Sequence, residues 1–142
     1  MTRIALAAAI AAHGLIHLIG FVVPWQLAAV AGFPYRTTVL DGTADLGEIG
    51  VRVVGVIWLA CAIGFIVAAV GIVRRTTWAL PLTAILAIVS LVVCVVGLPE
   101  TAMGIAVNVV ILAGAAWVVR SRTLARSRTL ARSRTHMVEV TS

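Results

Sequence analysis

The sequence predicts an all-α fold, a four-helix transmembrane bundle with both termini cytoplasmic. Three observations lead there. Hydrophobic residues make up 62% of the chain and charged residues only 11%, whereas soluble domains lie near ~45–50% and ~25%. The excess is gathered into four apolar runs, each close to the ~20 residues that carry a helix across the hydrocarbon core at ~1.5 Å per residue. The basic residues fall unevenly at the ends of those runs. Helices are the natural reading, because a lone strand leaves its backbone unsatisfied in lipid.

The first run predicts a helix over residues 4–23, closed by Pro24 and Trp25. The second predicts a helix over 51–73. The third covers 78–96, with Pro81 in its first turn, where proline is tolerated. The fourth covers 99–119. Pro99 suits a first helical position, and Glu100 then lies near the positive end of the helix dipole. Residues 1–119 thus form one membrane domain, with no room for a separate soluble enzyme domain. Residues 120–142 remain as a basic cytoplasmic tail.

Arginine placement sets the threading. All eleven basic residues are arginine. With four crossings, Arg3, Arg74, Arg75 and the six tail arginines share one side, and Arg36 and Arg52 share the other with Asp41, Asp45, Glu48 and Glu100. Nine against two is a positive-inside signal, so the expectation is a multi-pass membrane protein with both termini in the cytoplasm. Trp25 and Tyr35 suit the outer interface, Trp78 and Trp117 the inner one. A competing reading takes Ala29-Val30-Ala31 as a signal-peptidase site, with residues 1–31 removed. Against it, the apolar region exceeds the ~7–15 residues of a signal sequence and holds two histidines.

The loop "FPYRTTVLDGTADLGEIG" joins the first two helices. Asp41-Gly42 reads as a turn. Asp45 and Glu48 would share a face if "TADLGEIG" is a helical turn. The plain reading is a solvated acidic cap; the alternative is a vestibule that collects cations above the membrane. Cys61 and Cys94 lie inside apolar runs with no CxxC, and read as buried thiols behaving as small apolar side chains.

The tail contains "RSRTLARSRTLARSRTH", in which RSRTLA occurs twice and begins again. Six residues cannot form a packed helical repeat, so this resembles a tandem duplication. Its net charge is about +5, six arginines less Glu139. Arg120, Arg122, Arg126, Arg128, Arg132 and Arg134 begin where the fourth helix leaves the bilayer. Such a cluster attracts anionic lipid head groups at ~1 kcal/mol per charge. Nucleic-acid binding is disfavoured, since no aromatic platform stands beside the arginines. The tail is expected to be disordered or a loose surface helix.

Within the spans, "AAHGLIHLIGF" places two imidazoles in an oily run. His13 and His17 lie about 15 and 21 Å from Arg3 along a helix and, at i, i+4, point the same way. Asn108 lies about 9–12 Å from the outer end of the fourth helix. Ser90 and Cys94 fall in the outer half of the third. These groups form one layer and should face the bundle interior, because unpartnered polar groups in lipid cost several kcal/mol. Gly14, Gly104 and Gly114 would allow helices to approach closely. The plain reading of the layer is interhelical hydrogen bonding. Functional readings are a metal site on His13 and His17, a proton or ion relay, and haem ligation. The metal reading lacks an evident third ligand, and haem usually takes histidines from opposing helices.

The motifs HGLIHLIGF, GVIWLACAI and SLVVCVVGLPETAMGIAVNVVILAGA resemble a family of small bacterial four-helix membrane proteins. The resemblance spans most of residues 11–116, through His13, Gly14, His17, Gly20, Trp58, Ser90, Pro99, Glu100, Gly104 and Asn108. It implies the four-helix fold and carries no established activity. The family pattern has Asp-Ala-Lys-Phe-Gly after the turn proline, where this chain has Glu100-Thr101-Ala102-Met103-Gly104, so any role for that lysine is absent here.

The expected function is a small membrane protein, not an enzyme, that binds or passes a cation or small ligand. The site would be His13, His17 and Asn108, with Glu100 at the outer mouth. The alternatives are a membrane-bound enzyme or redox component with a transition metal or haem on the histidines, and an accessory subunit of a larger transporter. No cofactor is specified by the sequence. Four short helices enclose little space, so a homo-oligomer or larger membrane complex is an expected partner, alongside membrane lipids.

Overall fold

The computed structural model describes residues 2–141 and the side chains of residues 3–125 and 127. In chain order it contains α1 (Thr2–Val22), the strands β1 (Thr38–Val39) and β2 (Ala44–Asp45), then α2 (Gly47–Val73), α3 (Ala79–Val96) and α4 (Ala102–Thr141). All four helices are long and apolar enough to cross a membrane. The chain is therefore a multi-pass membrane protein built on four helices.

Two compact units divide the chain, Met1–Leu112 and Ala113–Ser142. The first holds α1 to α3, the hairpin and the start of α4. In it, the buried residues of α1 are Ala7, Ile10, His13, Gly14 and His17, spaced three and four apart as one helical stripe. That stripe meets α2, where Cys61, Ala62, Phe65, Ala68 and Ala69 are buried. Gly14 is needed there: a Cβ on it would stand 2.8 Å from the Phe65 Cβ and 3.1 Å from the Ala62 carbonyl oxygen. Helix α3 presents Ala79, Thr83, Ala87, Ser90 and Cys94, again at helical spacing. One apolar cluster joins Ala7, Ile10, Cys61, Phe65, Ala69 and Ala87. Another joins Trp58, Val93 and Cys94. Most large apolar side chains outside these stripes are exposed, as expected of a surface that faces acyl chains.

Several expected boundaries move, each for a local reason. Helix α2 starts at Gly47 rather than residue 51, directly after a turn in which the Asp45 carboxylate accepts the Gly47 N–H at 2.9 Å. That hydrogen bond, with a smaller contribution from the Thr37 hydroxyl, holds the Asp45 carboxyl below its ordinary range. Asp45 is thus a strand residue and Glu48 a helix residue, so "TADLGEIG" is not one helical turn. Helix α4 starts at Ala102 rather than Pro99. Pro99 follows a cis peptide bond and its carbonyl accepts the Ala102 N–H, so Pro99 and Glu100 belong to the turn before the helix. At the far end α4 continues to Thr141, the helical of the two forms expected for the tail. The RSRTLA repeats contain no glycine or proline, and Arg, Leu and Ala are strong helix formers.

The loop between α1 and α2 is ordered by backbone pairing. β1 and β2 pair antiparallel, Thr38 with Asp45 and Val39 with Ala44. The reversal between them runs through Leu40, Asp41 and Gly42, all at positive φ, and so includes the expected Asp41-Gly42 turn. The turn is pinned to the end of α3: Leu40 N–H donates to the Val96 carbonyl at 2.9 Å and Asp41 N–H to the Leu98 carbonyl at 3.1 Å.

Candidate ligand-binding site

His13, His17, Ser90 and Asn108 come together in the first unit and form a closed circuit of hydrogen bonds. Asn108 Nδ2 donates to Ser90 Oγ at 2.7 Å and to the Gly104 carbonyl at 2.9 Å. Both amide hydrogens are thereby committed, and the amide oxygen faces His13. His13 Nε2 is 3.2 Å from Asn108 Oδ1, which can only accept, so His13 carries its proton on Nε2. His17 Nδ1 is 2.8 Å from the His13 carbonyl oxygen, so His17 carries its proton on Nδ1. His17 Nε2 lies 2.6 Å from Ser90 Oγ. With neutral imidazoles, Ser90 donates to His17 Nε2 while accepting from Asn108. The two histidines therefore hold opposite tautomers.

Neutral rings suit the surroundings. His13 is 6% exposed, His17 1%, Asn108 and Ser90 0%. Among the described residues no carboxylate forms an ion pair with either imidazole. An unpaired charge in such a place is costly. The rings are held by aromatic and sulfur contacts. His13 and His17 meet edge to face with centroids 4.6 Å apart. Phe65 packs on both at 5.0 and 5.3 Å, and Trp58 packs on His17 at 4.9 Å. Cys94 Sγ lies 3.7 Å from Asn108 Nδ2. Small neighbours make this possible. A Cβ on Gly20 would come within 2.4 Å of the Trp58 ring, and one on Gly104 within 2.7 Å of Cys94 Sγ.

Beside the circuit lies a chamber of about 240 Å³. His13 and His17 of α1 line it together with Ile16, Val54, Trp58 and Val107, and the loop end contributes Tyr35, Arg36 and Glu100. At that end Arg36 Nη1 meets Glu100 Oε1 at 3.2 Å. Glu48 lies 3.9 Å from Arg52 one turn along α2. Two of the four loop-side carboxylates are thus paired with the two loop-side arginines, which weakens any cation-collecting field there. Thr101 Oγ1 donates to the Cys94 carbonyl and so ties the turn before α4 to the end of α3.

Of the residues expected in the site, the structure brings His13, His17 and Asn108 into contact through Ser90, and places Glu100 at the chamber's loop end. Ser90, which the sequence places in the same polar layer without assigning it to the site, is a full member of the circuit. Arg36 as the partner of Glu100 carries no sequence signal. For the metal reading, both ring nitrogens of His17 have protein partners, so a metal there would displace Ser90 or the His13 carbonyl. Among the described residues no group of three or more His, Cys, Asp or Glu is placed to hold a metal ion. Of the tail arginines, Arg120 and Arg122 are exposed; the side chains of Arg126, Arg128, Arg132 and Arg134 lie outside the described residues. No protein family, curated protein or solved structure shows significant similarity to this chain.

Proposed function

We propose that this chain is a non-enzymatic membrane protein that binds a small ligand beside His13, His17 and Asn108, with Arg36 and Glu100 at the mouth of the site. The observation that carries the reading is the chamber of about 240 Å³ that extends from the loop-end ion pair to two buried imidazoles. Ligand sites combine mostly apolar walls with a few convergent polar groups, and this one has that composition. Apolar walls favour a small organic ligand over a hydrated cation, which would lose its water with no oxygen-rich lining to replace it. In this reading the nine inner arginines hold both termini in the cytoplasm of a bacterial cell, the hairpin loop faces outward, and the tail arginines rest among anionic head groups. The motif resemblance agrees with a small four-helix protein of that membrane.

The test is chemical analysis of gently solubilised protein, by mass spectrometry of an organic extract together with elemental and optical analysis. Ligand binding predicts about one small organic molecule per chain, lost in Val54→Trp, which fills the chamber. A stoichiometric transition metal or a Soret band in place of that molecule would replace the reading with a metal or haem protein.

A further inference from the structure

The hydrogen-bond circuit also limits what the ligand can be. Every polar atom in it has a fixed role. Asn108 spends both amide hydrogens on Ser90 and Gly104 and its oxygen on His13. His17 uses both ring nitrogens, one on the His13 carbonyl and one on Ser90. The atom left over is His13 Nδ1. As the proton of His13 sits on Nε2, Nδ1 is a bare lone pair, able to accept and unable to donate.

That lone pair has access to open space. Among the described residues the buried side-chain nitrogens and oxygens without a partner are Arg3 Nε and Arg52 Nε. Among the described residues no hydrogen bond engages His13 Nδ1, and it is not one of those two buried atoms, from which we infer that part of its surface is open. The open space that His13 borders is the chamber. Around it stand Ile16, Val54, Trp58 and Val107, and the carboxylate nearest the mouth is already paired with Arg36. An anion or a bare carbonyl would meet the lone pair with another lone pair. A cation would find no free carboxylate beside it.

Size follows from volume. A cavity of about 150 Å³ holds one benzene, so a chamber of about 240 Å³ fits a molecule of roughly ten non-hydrogen atoms. We infer that the ligand is a small, neutral, mostly apolar molecule bearing one hydroxyl or N–H group, which donates its hydrogen to His13 Nδ1 while its body packs against Trp58 and the aliphatic wall. This rests on the ligand-binding reading above and names the class of ligand for the same site.

The experiment titrates the full chain in nanodiscs with 1-phenylethanol and with acetophenone, subtracting partition into empty nanodiscs. The two share a skeleton and differ in whether their oxygen can donate. Binding is followed by the ¹⁵N resonances of labelled histidine. The alcohol should bind at least about tenfold more tightly than the ketone, equivalent to ~1.4 kcal/mol. It should also shift the His13 Nδ1 resonance while leaving His17 Nδ1 in place, and Val54→Trp should abolish the shift. Equal affinities, or a shift at His17 in place of His13, would overturn the donor requirement while leaving a ligand site. Saturable binding of neither compound would overturn both.

Discussion

Helices α1 and α4 are held in the bundle by different physics. Helix α1 contributes a continuous buried stripe, Ala7, Ile10, His13, Gly14 and His17, which lies against α2 along much of its length. Between Ala102 and Leu112, by contrast, α4 buries only Asn108, and Met103, Val109 and Val110 are exposed. A fully buried stripe fixes the first helix, whereas the start of the last combines one buried amide with the partly buried Ile105, Ile111 and Leu112. In lipid this contrast is sharp, because apolar surface gains little by leaving acyl chains for protein, so close packing and polar contacts decide association. A helix whose packing stripe is only partly buried depends on its polar contact more than one whose stripe is fully buried.

The largest expected effect breaks that contact. Asn108→Leu keeps the branched outline but removes the hydrogen bonds to His13 and Ser90, leaving His13 Nε2–H without a partner while Ser90 keeps His17. The cost should be about 2–4 kcal/mol, since buried polar groups are left without partners. It should be read by denaturant unfolding in micelles, and hydrogen exchange should rise over the start of α4 while α1 and α2 remain protected. Unchanged exchange in α4 would mean that apolar packing holds it after all.

The second test attacks α1 in its own terms. Gly14→Ala places a methyl 2.8 Å from the Phe65 Cβ and 3.1 Å from the Ala62 carbonyl oxygen, so the helices must part. About 1–3 kcal/mol is expected, the usual cost of overpacking. Gly114→Ala, with open space around it, should be neutral or slightly stabilising through helix propensity.

Ser90→Ala comes next, at about 1–2 kcal/mol, because it removes one hydroxyl and leaves His17 Nε2 and one Asn108 N–H unpaired. Thermal unfolding of the single and double variants with Asn108→Leu should show strong non-additivity, as expected of one network. The smallest effects lie on the loop. Arg36→Gln breaks a partly exposed ion pair and should cost about 0.2–1 kcal/mol, less at high salt. Asp45 adds a pH dependence. Its folded carboxyl titrates below the ordinary range, so the contribution of its bond to the Gly47 N–H is complete above that range and is lost as pH falls through the lowered value. The protection factor of the Gly47 amide, with the intrinsic rate divided out, should fall on acidification in the natural chain and lack that step in Asp45→Asn.

Much of the helical frame was legible in the sequence, because long apolar runs report their own solvent. The i, i+4 spacing of His13 and His17 also identified the inward face of α1. The N-terminal limit of α2 was not legible, since it is set by a turn that follows a two-residue strand, in which Asp45 accepts the Gly47 N–H. Neither was the continuation of α4 through the arginine repeats, where charge suggested solvation and the helix propensity of Arg, Leu and Ala prevailed. The direct pairing of His13 with Asn108, and of His17 with Ser90, depends on helix rotation and order in the bundle, which depth along each helix does not encode. Gly20 carried no signal until Trp58 was seen to pack against it.

The central claim is that the two imidazoles, the hydroxyl and the amide form one directional circuit. The most direct measurement is ¹⁵N solid-state NMR of histidine-labelled protein in bilayers near neutral pH. The account predicts opposite neutral tautomers, His13 protonated on Nε2 and His17 on Nδ1, with both signatures disturbed by Asn108→Leu. Matching tautomers, an imidazolium at either position, or spectra indifferent to that substitution would contradict it.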